Sequence, residues 1–338
     1  MAKQIAAFGE VMMRLQVPGY EFLSQGSTLH YSFSGSGVNV LSALARFGHT
    51  GSLVSTLPDN PVGAAAVAYL QKLGISPSYI NRSGNYVGMY FLENGFGARP
   101  SRVTYSNRLE SSFNTAGEGT YEFEEIAKKH DVVHFCGITL AMNDSVRQLM
   151  KSFAKAVKDN GGTVVFDCNY RPSLWGEGGY EKAKSHYEEM LYLSDIVMMN
   201  EKDAMFVLGM KTEKKERQEQ VMDLIPEVAK KYEIPVIAGT NRSVNEDNTH
   251  SLCGFLYKKQ SFTFSKTFTF SVYDRIGAGD AYTSGIVHGE LERFPPEKTV
   301  TFAAAAGMLT HTVVGDTLMS SENEILRAMT ESVDDIER

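Results

Sequence analysis

Four short apolar stretches, Val132–Phe135, Thr163–Phe166, Ile196–Met199 and Val236–Ala238, are separated by amphipathic helical patterns at about 144–159, 180–193, 201–208 and 216–232. A strand with one solvated face alternates apolar and polar residues. These stretches do not alternate, so both of their faces must be covered. Strand and helix in regular succession, with strands of this kind, predict a parallel sheet clad by helices on both sides. The N-terminal part extends the pattern. Ile5–Phe8 and Gly51–Ser55 read as strands, Val38–Phe47 as a helix stopped by Gly48, and a further helix is expected to start at an Asp59 cap, with Pro61 in its first turn, and to end at Leu73-Gly74. Residues 251–273 hold two β-rich stretches expected to form a hairpin, and helices are expected at about 280–292, 297–312 and 322–336. The fold class is therefore α/β, with a mostly parallel central sheet.

Two segments, 11–34 and 86–112, break this rhythm. Both are short-period and turn-rich, and the second carries Tyr90, Phe91, Phe96 and Tyr105. They read as one small antiparallel sheet inserted into a large domain made of residues 1–10, 35–85 and 113–338. A length of 338 residues suits one large α/β domain with such an addition.

Charge limits the partners. Thirty-three basic residues against forty acidic ones give a net charge of -7, so no general attraction to nucleic acid or anionic membranes is expected. An anionic ligand would need a local basic site. Cys136, Cys168 and Cys253 form no CxxC pair and no metal spacing, and read as reduced thiols of a cytoplasmic protein. Met1-Ala2-Lys3-Gln4 leads directly into the first strand, without the pattern of an export signal. The acidic residues Asp334, Asp335 and Glu337 read as a solvated helix end.

Ligands of open parallel sheets gather beyond the carboxyl ends of the strands. Three strands here end in polar clusters: Asp167, Asn169 and Arg171; Asn200, Glu201 and Asp203; and Gly239, Thr240, Asn241 and Arg242. Each cluster suits phosphate, hydroxyl or magnesium binding, and each also suits helix capping, Asn200 above all. The sharpest segment is Asp274-Arg275-Ile276-Gly277-Ala278-Gly279-Asp280-Ala281-Tyr282, which follows a strand and opens a helix. Small residues before a helix leave backbone N–H groups accessible, and the helix dipole adds positive potential there. Such a turn can hold the charge of a transferring phosphoryl group, while Asp280 accepts the proton of an attacking hydroxyl. The plain alternative is a glycine turn with a stabilising first-turn carboxylate. No G-x-x-x-x-G-K-[ST], H-R-D or H-E-x-x-H motif occurs, and Gly35-Ser36-Gly37 lacks the third glycine of a dinucleotide loop.

Asp274-x-x-Gly277-Ala278-Gly279-Asp280, with Gly285 beyond, resembles the C-terminal signature of the ribokinase-like (PfkB) carbohydrate kinases. Ser34-Gly35-Ser36-Gly37-Val38-Asn39-Val40 resembles their N-terminal signature, and Asn200-Glu201-x-Asp203 their N-E-x-E motif. The stretch from Phe166 through Asn169, Arg171 and Trp175 is similar to that of the 2-keto-3-deoxygluconate kinases, as are Asp274-Arg275 and the segment with Tyr90, Tyr105, Arg108 and Ser111. The resemblance implies a ribokinase-like fold with a β-sheet lid, ATP with Mg2+ as phosphoryl donor, a monovalent cation as a further candidate, a sugar acid as acceptor, and a homodimer formed through the lids. It implies sugar contacts at Gly35, Ser36, Gly37, Val38, Asn39, Tyr90, Tyr105, Arg108, Arg171 and Asp316. Nucleotide contacts are implied at Asn169, Arg171, Asn200, Gly239, Thr240, Asn241, Arg242, Gly277 and Gly279, with Asn200 and Asp203 reaching the metal indirectly. Asp280 is the implied base, beside Gly277, Ala278 and Gly279. Two arginines converging on a sugar favour a carboxylate there, since guanidinium offers two parallel donors. The sequence departs from the pattern at Ser34 (for glycine), Asp203 (for glutamate) and Tyr282 (for phenylalanine), and Ser106 and Asn107 separate the tyrosine from the arginine where one residue is usual. A fructokinase or other neutral-ketose kinase, and a catalytically silent sugar- or nucleotide-binding protein, are the alternatives.

Overall fold

The computed structural model describes residues 2–330. The helix expected at 322–336 is seen as Glu322–Ala328, and the acidic tail lies outside the described residues. In chain order the strands are β1 (Gln4–Phe8), β2 (Met12–Gln16), β3 (His30–Ser34), β4 (Thr50–Leu57), β5 (Ile75–Arg82), β6 (Gly88–Glu93), β7 (Arg102–Ser106), β8 (Val132–Cys136), β9 (Thr163–Asp167), β10 (Ile196–Met198), β11 (Val236–Val244), β12 (His250–Lys258), β13 (Ser261–Phe264) and β14 (Phe268–Phe270).

Ten strands form one sheet in the order β13-β12-β11-β10-β9-β8-β1-β4-β5, with β14 pairing to β12. From β11 to β5 every neighbour is parallel, and β12, β13 and β14 add an antiparallel margin. Both faces are dry, which is why the strands read as continuous apolar runs. Along β9, Val164 and Phe166 pack into one core with Phe8, Phe135 and Phe153, while Val165 between them packs into the other with Leu256, Ile286 and Phe302. On that second face the helices Ala278–Leu291 and Pro296–Thr310 approach so closely that a Cβ at Gly285 would stand 2.5 Å from the Cα of Ala303.

The small sheet has the order β3-β2-β6-β7. It is mixed rather than antiparallel: β2 and β6 run parallel because the chain crosses the large sheet between them. Other expectations also shift. Strand β5 has no counterpart in the sequence reading. The cap of helix Pro61–Lys72 is Asn60, not Asp59, and its side chain accepts from the amides of Val62 and Gly63. Proline at the first helical position places the cap on the residue immediately before it. The strand expected at Val236–Ala238 runs on through the polar cluster to Val244, paired antiparallel with β12. The hairpin at 251–273 is three strands rather than two. The helix expected at 201–208 widens into a π-helix at Asp203–Val207. Among the described residues, no helix is long and apolar enough to cross a membrane.

Candidate active site

Strand β1 has β4 on one side and β8 on the other, so the strand order reverses around it. The crevice beyond such a reversal is where parallel sheets bind ligands. A cavity of about 470 Å³ lies there, between the carboxyl ends of the large-sheet strands and the small sheet. Its rim is formed by Glu10 after β1, Cys136 ending β8, Asp167 ending β9, Asn200 and Asp203 beyond β10, and Gly239-Thr240 in β11; Met12, Tyr90 and Tyr105 reach it from the small sheet.

The glycine turn enters this cavity as expected. Gly277 has φ 82°, and a Cβ there would lie 1.7 Å from the carbonyl oxygen of Asp316, so only glycine fits. No side chain caps helix Ala278–Leu291, and the first intrahelical bond runs from Ala281 N to Gly277 O at 2.9 Å. The amides ahead of it therefore have no partner within the helix. A Cβ on Gly279 would meet nothing within 4 Å, which leaves room in front of those amides for a bulky anion. Gly277 and Gly279 border the cavity; Ala278 does not.

Asp280 is 9 % exposed. Its Oδ1 accepts from Ser36 Oγ at 2.6 Å and its Oδ2 from Asn39 Nδ2 at 2.7 Å. Both donors sit on helix Ser36–Arg46, three residues apart and hence on one face. Burial raises the pKa of Asp280, against the opposing effects of those two bonds and of the Arg171 charge. Asn39 Oδ1 is buried without a partner, a vacant acceptor suited to a hydroxyl donor. Gly35, Ser36, Gly37 and Asn39 border the cavity, but Val38 is 0 % exposed in the core. Helical pitch turns it away from the face shared by Ser36 and Asn39, so its expected sugar contact is not made.

The neighbouring strand ends bring two more carboxylates. Burial, together with the nearby Asp280, pushes Asp167 up to about 8, with Arg171 opposing. Burial raises Asp203 to about 6, against a bond from the Asn200 amide at 2.9 Å. Asn200 Oδ1 in turn accepts from Lys202 N at 2.8 Å, so Asn200 caps the chain turn and borders the cavity at once. Glu201 faces away and pairs with Arg217 at 2.6 Å. Asn169 and Arg171 line the wall, and Arg171 is exposed. Gly239 and Thr240 line it too, whereas Asn241 and Arg242 do not: Arg242 lies 3.1 Å from His250 Nδ1, and Arg275 takes the wall position. At Tyr282, where phenylalanine was expected, the hydroxyl donates to Phe255 O at 2.9 Å.

On the small-sheet side, Tyr90, Tyr105, Arg108 and Asp316 all reach the cavity, but not as free groups. Arg108 stacks over Tyr105, 4.6 Å from the ring centroid, and its Nε donates to Glu10 Oε2 at 2.9 Å. Its Nη1 is buried and unpartnered. Glu10 also accepts from Ser111 Oγ at 2.8 Å and Asn114 Nδ2 at 3.1 Å. Asp316 accepts from Arg14 Nη1 and, at 2.5 Å, from the Tyr90 hydroxyl, which lies 3.1 Å from Ser34 Oγ. Glu10 and Arg14 were missed in the sequence. Glu10 carried a signal, since the strand-end rule applied to β9, β10 and β11 applies equally to β1.

Residues 2–323 match the profile described as pfkB family carbohydrate kinase. Among solved structures, a chain from Enterococcus faecalis, provisionally assigned as a 2-keto-3-deoxygluconate kinase, is 37 % identical with a TM-score of 0.95, covering 100 % of this chain and 99 % of its own. The 2-dehydro-3-deoxygluconokinase of Thermotoga maritima is 31 % identical with a TM-score of 0.92, over 97 % and 99 % of the two chains. The 2-dehydro-3-deoxygalactonokinase of Haloferax volcanii is 26 % identical over 97 % of each chain. Motifs, fold and whole-length similarity agree: the chain belongs to the pfkB family of carbohydrate kinases and has their ribokinase-like fold.

Proposed function

We propose that this kinase transfers the γ-phosphoryl group of ATP to a sugar acid, 2-keto-3-deoxygluconate, giving the 6-phosphate. The observation that carries the chemistry is the placement of Asp280. It is buried, held through both oxygens, and sits in the first turn of a helix whose leading amides face the same cavity. In this reading Asp280 takes the proton of the terminal hydroxyl as that oxygen attacks the γ-phosphorus. Burial raises the affinity of Asp280 for that proton. The amides of Gly277 to Asp280 hold the charge of the transferring group. Magnesium bound with ATP supplies further charge neutralisation there; Asn200 and Asp203, through water, are the residues that would hold it. Residues 11–34 and 86–112 act as a lid over the sugar, excluding water as a competing acceptor. Exposed Tyr31 on β3 and Phe96 in the connection between β6 and β7 suit a lid-to-lid homodimer.

The acid specificity rests on Arg108 Nη1, buried without a partner at the cavity wall, and on exposed Arg171. It is supported by the substrates named for the Thermotoga maritima and Haloferax volcanii relatives. One observation favours the alternative, a neutral-ketose kinase: Glu10 already balances the charge of Arg108. ADP release with ATP and 2-keto-3-deoxygluconate, its galactonate counterpart, or fructose decides between them. The sugar acids should exceed fructose in kcat/KM by about 10²-fold or more. Equal or better use of fructose overturns the acid, and ADP release with none of a broad sugar panel overturns the kinase.

A further inference from the structure

Arg14 lies on β2, in the small sheet, yet its head group reaches under the glycine turn. It is 2 % exposed. Nη2 bonds Asp274 Oδ2 at 2.6 Å, Nη1 bonds Asp316 Oδ1, and Nε bonds Gln16 Oε1 at 3.1 Å. The two carboxylates belong to the two segments that frame the turn. Asp274 Oδ1 accepts from the amides of Arg275 at 2.7 Å and Ile276 at 3.1 Å, and its Oδ2 from Gly315 N at 3.3 Å. Asp316 packs its carbonyl directly against Gly277. The turn itself has no side-chain cap, so its orientation is fixed only from outside.

We infer that Arg14 is a positioning residue for phosphoryl transfer: by holding Asp274 and Asp316 together it sets where the Gly277–Asp280 amides and carboxylate stand. The inference rests on the kinase reading of that turn. A planar guanidinium can present separate donors to two carboxylates, which a lysine ammonium on a flexible stem does not do in a fixed geometry. Arg14 on β2 pairs in register with Tyr90 on β6, so the strand that bears the clamp is joined directly to one that faces the cavity. Position of the small sheet and position of the turn are thereby one variable.

One cation against two buried carboxylates leaves no spare compensation, so its removal leaves buried charge unpaired beside the turn. Burial pushes the Tyr90 phenol up to about 12 and raises Tyr69, in each case against the Arg14 charge, and burial lowers His311, with Asp274 opposing.

The test is Arg14→Met and Arg14→Lys in the full chain, read in two ways. In steady-state assays, kcat should fall about 10²-fold in Arg14→Met and less in Arg14→Lys, with KM for ATP nearly unchanged. In ligand-free hydrogen exchange, the amides of Arg275, Ile276 and Gly315 should exchange about tenfold faster or more, while the strands of the large sheet do not change. Exchange needs no substrate, so it is read whether or not the sugar acid is the acceptor. Folded Arg14→Met with kcat within about threefold, unchanged exchange at those three amides, or failure of both variants to fold would each overturn a positioning role.

Discussion

At the rim made by the strand ends, Asp167, Asp203 and Asp280 have no ion-pair partner among the described residues; under the small sheet, Glu10 is paired with Arg108, and Asp274 and Asp316 with Arg14. Asp280, Glu10, Asp274 and Asp316 are buried and Asp167 and Asp203 half-buried, so burial alone does not separate the two sets. Compensation does. At the rim the cost of burying charge appears as raised proton affinity, to about 8 at Asp167 and about 6 at Asp203. Under the small sheet a guanidinium offsets that cost, and the carboxylate becomes a brace. An unbalanced carboxylate can accept a proton or a cation; a balanced one holds its neighbours still.

Asp280→Asn breaks the contrast most directly, since it removes the rim charge assigned to proton transfer while preserving shape. Turnover should fall about 10²- to 10⁴-fold with KM for ATP little altered, read by coupled ADP release. Comparable turnover would remove Asp280 from the role. A smaller effect separates the two sides of the glycine turn. Gly279→Ala puts a methyl into open space at the rim, so turnover should drop about tenfold or more while thermal stability holds or rises. Gly277→Ala drives a methyl into the Asp316 carbonyl at positive φ, so both turnover and melting temperature should fall. If both substitutions lowered stability alike, the space before Gly279 would not be reserved for a ligand.

The smallest expected effect concerns pH. The folded pKa of Asp167, about 8, lies above the ordinary 3.8, so the folded state binds the extra proton. The associated stability is fully present below 3.8 and is lost as pH rises through about 8. Asp167→Asn should therefore raise the melting temperature of the ligand-free chain by ~2–4 °C at pH 8 and by less at pH 5. An equal shift at both values would deny that Asp167 is held protonated by burial.

Much of this architecture was legible because parallel strands covered on both faces leave an unbroken apolar mark, as at Val132–Cys136. The glycine turn was legible because a backbone that admits no Cβ at 277 restricts the residue type. Strand β5 was not, since Ile75–Arg82 is largely half-exposed and contains Pro77, which mutes the pattern at an edge. The end of β11 beyond Ala238 was not legible as strand, because its partner there is an antiparallel strand with a wet margin. Arg14 was out of reach for a different reason. Its partners stand 260 and 302 positions away, and no local period records a contact of that kind. Val38 was carried into the site by adjacency in sequence, where helical pitch separates it from Ser36 and Asn39.

The place of β1 between β4 and β8 bears on how the chain is assembled. Lying ahead of both partners in the chain, β1 must wait for β4, and then for β8 at Val132, before both of its edges are covered. Until then an apolar strand with a bare edge is open to intruders. Contacts so distant along the chain make collapse of the large sheet a late, slow event. The crevice at its centre comes into being only with that closure.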